Sequence, residues 1–238
     1  MIPWLADNSA FPPVENALRS PSGLLAAGGN LSATRLLEAY RQGVFPWFSE
    51  GEPVLWWSPD PRTVLIPGEF KISRSLAKTL RNAAYEVRTD TAFEQVIRGC
   101  AAPRNGQHGT WIHESMINAY CTLHQMGYAH SVEVWMDSTM PRNGQQLAGG
   151  LYGIAIGRMF YGESMFSKAN NASKVALAHL ARQLDRWQFG MVDCQMNTSH
   201  LVSLGAREMP RGEFIMKLQE LINYAPAIRW QFDQDLFV

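Results

Sequence analysis

Apolar positions recur along this chain with two periods, and the changes from one to the other mark its elements. Spacings of three and four predict a helix from Ser32 as cap to Gly43 as terminator, with Leu36, Leu37 and Tyr40 on its buried side. They predict another helix after Ser73, one over Ala92–Ala101 with Phe93, Val96, Ile97 and Cys100 inward, and one carrying Met116, Ile117, Tyr120 and Leu123 that stops at Gly127. Strands are expected at Thr63–Ile66 and Tyr85–Arg88. Farther on, SVEVWM and QLAGGLYGIAI flank a turn at Arg142-Asn143-Gly144, and a second turn at Gly157 leads into MFYGESMF, which together predict three neighbouring antiparallel strands. A helix with Val175, Leu177, Leu180, Leu184 and Trp187 on one face, the strand FGMVDCQ and a last helix around Phe214–Ile222 complete a mixed sheet with helices on both sides.

The character of the chain shifts once, near residue 62. Before that point prolines and tryptophans break up FPPVENALRSPSGLLAAGG and FPWFSEGEPVLWWSPDPR, so residues 1–62 read as a small, loop-rich domain with one clear helix. Residues 63–238 read as a larger α/β (α+β) domain. Its order, an antiparallel meander, a crossover helix and a parallel strand, resembles the layout of GNAT-like acyltransferases. Acyl-CoA-using members open that helix with glycines, because bare backbone amides must approach the pyrophosphate closely. Here the loop is Ser167-Lys168-Ala169-Asn170-Asn171-Ala172-Ser173, without a glycine, so no CoA or other cofactor is expected. Lys168 and the helix terminus remain able to meet some other anion.

Candidate chemistry concentrates between Arg158 and Gln195. In a β-α-β unit the two strands lie side by side, so Glu163 from the first and Asp193 and Gln195 from the second converge at one end of the sheet. Strict alternation puts Asp193 and Gln195 on one face and Cys194 on the other, which makes Cys194 a buried structural thiol and not a nucleophile paired with His200. A carboxylate at a strand end is most often solvated or capping, and the sequence pattern alone leaves that reading open.

Bulk properties narrow the class. With 238 residues, 46% hydrophobic and 18% charged, the chain can bury a substantial core. Its 21 Lys and Arg cancel 21 Asp and Glu, so a nucleic acid would need a local basic patch. One is present: with Ser73 as cap, Arg74, Lys78 and Arg81 fall on one face of a helix with Leu76 and Leu80 opposite, and Lys71 lies just upstream. Such a stripe is ordinarily a solvated surface, but it is the leading candidate for phosphate contact. Cys100, Cys121 and Cys194 form no CxxC pair, no secretory signal or membrane-length apolar run is present, and the histidines show no HExxH spacing. A cytoplasmic protein with no metal site and no membrane partner is expected.

Long ordered blocks carry a closer resemblance: GLLAAGGNLSATRLLEAYRQGVFPWF, LWWSPDPR, ISRSL, GTWI, HSVEVW, GGLYGIAIGRMFYGESMFS, NASKVAL, and VDCQ followed by His200 and SLGA. Over nearly its whole length the chain resembles the leucyl/phenylalanyl-tRNA–protein transferases. The resemblance implies transfer of leucine or phenylalanine from leucyl-tRNA or phenylalanyl-tRNA to the amino group of a protein that begins with arginine or lysine, marking it for degradation. The ester is already activated and a peptide α-amino group titrates at about 7.7–8.0, so positioning should dominate. Gln195 then offers a carbonyl to the attacking amine, Asp193 orients that amide or stabilises positive charge on the nitrogen, and Glu163 meets the cationic acceptor. Leu151, Phe160, Met165, Leu177, Leu180 and Val192 match family positions that wall the donor side-chain pocket, and Trp47 and Trp111 fit stacking against the terminal adenosine. Two other readings share parts of this pattern: a tRNA-dependent peptidyltransferase acting on cell-wall precursors, and a noncatalytic reader of basic amino termini.

Overall fold

The computed structural model describes residues 2–103, 110–137, 144–225 and 230–237. The amino-terminal part is more ordered than its loop-rich sequence implies. Strands β1 (Trp4–Leu5), β2 (Leu24–Gly28), β3 (Phe45–Pro46) and β4 (Leu55–Trp57) form a four-stranded sheet in the order β1-β2-β4-β3, with helix α1 (Ala33–Arg41) between β2 and β3. These strands are too short for alternation to register, which is why the sequence pattern shows only the helix. The Ser32 hydroxyl accepts the Arg35 N–H and caps α1 as expected.

The larger sheet begins at β5 (Arg62–Leu65). Helix α2 (Arg74–Asn82), β6 (Glu86–Thr89), α3 (Phe93–Ala101) and α4 (Glu114–Gln125) lead into the meander of β7 (Ala129–Asp137), β8 (Gln145–Ile156) and β9 (Met159–Ser167). Of the turn expected at Arg142-Asn143-Gly144, the first two residues lie outside the described residues. Helix α5 (Ala172–Arg186) then crosses to β10 (Met191–Gln195), followed by α6 (Ser199–Ser203), β11 (Arg207–Met209) and α7 (Arg211–Leu221). The sheet order is β11-β5-β10-β9-β8-β7-β6, mixed as the pattern predicts: β7, β8 and β9 are antiparallel and β10 runs parallel to β9. The fold is α/β, with the meander, crossover helix and parallel strand in the expected order.

Alternation along the strands feeds two apolar layers. Tyr152 and Tyr161 join Tyr40, Trp56 and the buried faces of α3 and α4, whereas their neighbours Leu151 and Phe160 join the α2 and α5 residues Leu76, Leu80, Leu177 and Leu184. Each fully buried Leu or Phe contributes about 1.5–3 kcal/mol. Residues 230–237 return to the second layer, where Trp230, Phe232 and Phe237 pack and Leu236 is buried.

Three breaks in the sheet position the site. The parallel ladder joins Met159–Tyr161 to Met191–Asp193 and goes no farther, although β9 continues to Ser167. Between β8 and β9 the register shifts, since Tyr152 faces Ser164 and Gly153 faces Gly162, so Glu163 is an extra residue. A Cβ on Gly153 would collide with the Tyr161 carbonyl and the Phe160 ring, so this bulge needs glycine. Between β10 and β5 a second shift falls between Asp193 and Gln195, which makes Cys194 the extra residue. Two bulges on adjacent strands thus flank the point where those strands part.

Candidate active site

A cavity of about 560 Å³ opens at this parting. Leu151, Phe160, Met165, Leu177, Leu180 and Val192 all lie on its wall, as do Glu163, Gln195, Trp47 and Trp111. Helix α5 presents Leu177 and Leu180 from one side, and β8, β9 and β10 supply Leu151, Phe160, Met165 and Val192. Such a surface suits an apolar side chain and offers few polar groups to a polar one.

Asp193 is not on that wall, and here the structure corrects the expectation from strict alternation. The bulge turns both Cys194 and Gln195 to the cavity, while the fully buried Asp193 faces Arg62. Arg62 Nε and Nη2 donate to the two Asp193 oxygens at 2.8 and 2.6 Å, and Nη1 donates to the Gly43 carbonyl at 3.1 Å. The guanidinium lies over both the Phe45 and Phe214 rings, at 4.8 and 4.7 Å from their centroids. Asp193 therefore has no free path to a substrate nitrogen, yet it holds the site in place: its Oδ1 accepts the Gln195 backbone N–H at 2.9 Å. Gln195 has φ 55, a left-handed conformation that costs a non-glycine residue on the order of 1 kcal/mol and persists where its surroundings enforce it. Cys194 touches the cavity, but burial pushes its thiol well up, so it stays protonated and a poor nucleophile.

Glu163 is half-buried and fixed by two phenols that the sequence pattern assigns only to the core. Tyr40 and Tyr120 donate to its two carboxylate oxygens at 2.7 and 2.9 Å, and the two hydroxyls are 2.5 Å apart. Burial raises both phenols well above their usual range, with the Glu163 charge adding to the effect, so they remain donors. Burial likewise pushes the Glu163 carboxyl up to about 7, against the two hydrogen bonds that lower it. Tyr161 donates to the Tyr40 carbonyl at 2.9 Å, which ties α1 to β9. Glu163 is therefore a preset acidic group whose charge changes near neutrality.

At the mouth, Trp47 is 39% exposed, and the Trp57 indole donates to its carbonyl at 2.7 Å. The basic stripe forms on α2 as expected: the Ser73 hydroxyl accepts the Leu76 N–H, and Leu76 and Leu80 are buried. Arg74, Lys78, Arg81 and Lys71 are exposed and, among the described residues, make no ion pair. At the start of α5, Ser167 Oγ accepts the Ser173 N–H at 3.2 Å, so that first-turn amide is taken by the chain itself. His200 also lines the cavity, with its imidazole lowered by burial and by Lys174. Among the described residues no cluster of His, Cys, Asp and Glu is arranged to hold a metal ion, and no helix is long and apolar enough to cross a membrane.

An apolar wall flanked by a carboxylate and an amide, at the parting of two parallel strands, is chemically able to hold an apolar group beside a cationic one. Comparison with known proteins agrees. Residues 64–219 match the family described as leucyl/phenylalanyl-tRNA protein transferase, and residues 29–60 match its N-terminal domain. A leucyl/phenylalanyl-tRNA--protein transferase of Nitrosospira multiformis is 60% identical over 99% of both chains. That of Nitrosomonas europaea is 60% identical over 98% of this chain and 96% of its own. The Chromobacterium violaceum protein of the same name is 57% identical over 98% and 97%. The chain belongs to the leucyl/phenylalanyl-tRNA protein transferase family and is an aminoacyltransferase.

Proposed function

We propose that this protein transfers leucine or phenylalanine from its aminoacyl-tRNA to the α-amino group of proteins beginning with arginine or lysine, and that the added residue marks the product for degradation. The observation that carries this reading is the cavity itself, which sets an apolar wall large enough for either side chain directly beside Glu163 and Gln195. A reader of basic amino termini would need the carboxylate but not the wall.

In this reading the donor side chain lies against Leu151, Phe160, Met165, Leu177, Leu180 and Val192, and the terminal adenosine stacks on Trp47 and Trp111. The acceptor's first side chain points its cation at Glu163. Its neutral amine attacks the ester carbonyl, a C–N bond forms, the C–O bond to the terminal ribose breaks, and the amine proton ends on the released ribose oxygen. Gln195 is the catalytic residue, accepting an amine N–H at its side-chain carbonyl. Asp193 and Arg62 are positioning residues that fix the Gln195 backbone. No group on the protein has to form a covalent intermediate, since the ester is already activated.

Lys71, Arg74, Lys78 and Arg81 hold the tRNA backbone outside the cavity. Residues 1–62 supply Tyr40 and Trp47 as one domain, and residues 63–238 supply the transfer chemistry as another. The setting is cytoplasmic, in keeping with the three sparse cysteines, which form no CxxC pair.

Incubation with labelled leucyl-tRNA or phenylalanyl-tRNA and an Arg-initiated peptide tests the reading. Label should appear on the peptide, disappear when the tRNA is digested first, and fall strongly for an Ala-initiated peptide. Intact donor with no labelled peptide would overturn the proposal.

A further inference from the structure

We infer that the carboxy-terminal segment, through Trp230, sets the depth of the donor side-chain pocket and so the balance between the two donors; this rests on the function proposed above. Trp230 is not on the cavity wall. It lies behind it, its ring nearly parallel to that of Phe160 at 14° with the centroids 5.8 Å apart. Phe160 is fully buried and lines the cavity, so Trp230, which does not line it, packs against a residue of its wall.

Trp230 is itself held from several sides. His130 stacks on it with centroids 4.0 Å apart and planes at 13°, and Thr89 donates its hydroxyl to the Trp230 carbonyl at 3.2 Å. Trp187, at the end of α5, packs at 5.1 Å. The rest of the segment grips α5, the helix that supplies Leu177 and Leu180 to the pocket. Asp233 N–H donates to the Gln183 side-chain carbonyl at 2.7 Å, and the Gln183 amide donates back to the Asp233 carboxylate at 3.2 Å. Arg186 donates to Asp233 and Asp235 at 3.0 and 2.6 Å, and Phe237 packs edge-on against His179 at 4.7 Å. One continuous segment thus braces both a sheet residue and a helix that wall the same cavity. A closely packed interior passes such support on, because a ring without a partner behind it can retreat into the space left.

The consequence is selective. A wall fixed in place discriminates between apolar side chains of different length, and one or two carbons are worth about 10–200-fold. Removing the brace lets Phe160 move back, which deepens the pocket, favours the longer phenylalanine and loosens the fit to leucine.

The test is Trp230→Ala and Trp230→Phe in the full chain, measuring kcat/KM for leucyl- and phenylalanyl-tRNA with one Arg-initiated peptide, together with the far-UV circular dichroism of each variant. The phenylalanyl-to-leucyl ratio should rise about 10-fold in Trp230→Ala and stay within about 2-fold of the unaltered protein in Trp230→Phe, which keeps a ring behind Phe160. The shift should fall mainly on KM if binding depth is set, and a general loss of structure would lower both donors together. An unchanged ratio in a folded Trp230→Ala protein overturns the inference while leaving the proposed function standing. Equal loss for both donors in Trp230→Ala and in Trp230→Phe also overturns it, since the segment would then only support the fold. No transfer from either donor by the unaltered protein overturns the proposed function, and the inference with it.

Discussion

The Asp193 carboxylate reaches the site through the backbone of Gln195: its Oδ1 accepts the Gln195 N–H at 2.9 Å while both of its oxygens are gripped by Arg62. A buried ion pair that loses one partner leaves an unpaired charge, which costs about 3–5 kcal/mol. Asp193→Ala should therefore lower unfolding stability by that order in urea titrations, in addition to slowing transfer. At temperatures where the variant is folded, kcat should fall and tRNA affinity should hold, because the displaced group is Gln195 and not the donor wall. Full stability in Asp193→Ala would contradict the role given to the pair.

With Glu163 facing the acceptor cation as proposed, acceptor preference should depend on pH. With its carboxyl at about 7, it is largely neutral in mildly acidic solution and becomes an anion as pH rises through neutrality. The ratio of kcat/KM for Arg-initiated over Ala-initiated peptides cancels the titration of the attacking amine and should climb across that interval. Glu163→Gln should flatten it and narrow the preference. A ratio that is independent of pH and of Glu163→Gln would remove the residue from acceptor recognition.

The same shift has a stability consequence with a definite sign. A carboxyl raised from 4.5 unfolded to about 7 folded keeps its proton in the native state while the unfolded chain loses it. The unfolded state then binds fewer protons, so stability falls as pH rises from about 4.5 to about 7. Glu163→Gln should lack that component. Urea midpoints of the two proteins, compared across the interval, should diverge with rising pH; parallel curves would contradict the burial of the carboxyl.

On α2, Arg74, Lys78 and Arg81 present a cationic stripe above buried Leu76 and Leu80. Replacing Arg74 and Lys78 with alanine should weaken leucyl- and phenylalanyl-tRNA alike and reduce the slope of log affinity against log salt by about 0.7–0.9 for each phosphate no longer neutralised. Transfer from an aminoacyl-adenosine, which carries no tRNA backbone, should hardly change. Equal losses for the tRNA and the adenosine donors would assign the stripe to the fold.

Much of the seven-stranded sheet and its helices is legible in the sequence because α5 and the strands around it are long enough for their periods to show. Local regularity also misleads. Alternation from Asp193 through Cys194 to Gln195 holds only until the bulge, whose cause is the pairing of β10 with β5, a strand far away in sequence. Arg62, 131 positions from Asp193, gives no local sign of being its partner. Helical spacing marks Tyr40 and Tyr120 as core, because it records burial and not where a hydroxyl ends. The segment from Trp230 to Phe237 has no period at all, and only the packed structure shows what it braces.

The proposed positioning of the attacking amine by Gln195, at the parting of β9 and β10, can be measured by single-turnover transfer with Gln195→Ala at saturating leucyl-tRNA, with Cys194→Ala as the contrast. Gln195→Ala should slow the chemical step by about 10²–10³ while binding the tRNA as the unaltered protein does, and Cys194→Ala should retain most of the rate. An unaltered rate in Gln195→Ala would remove Gln195 from the transfer step.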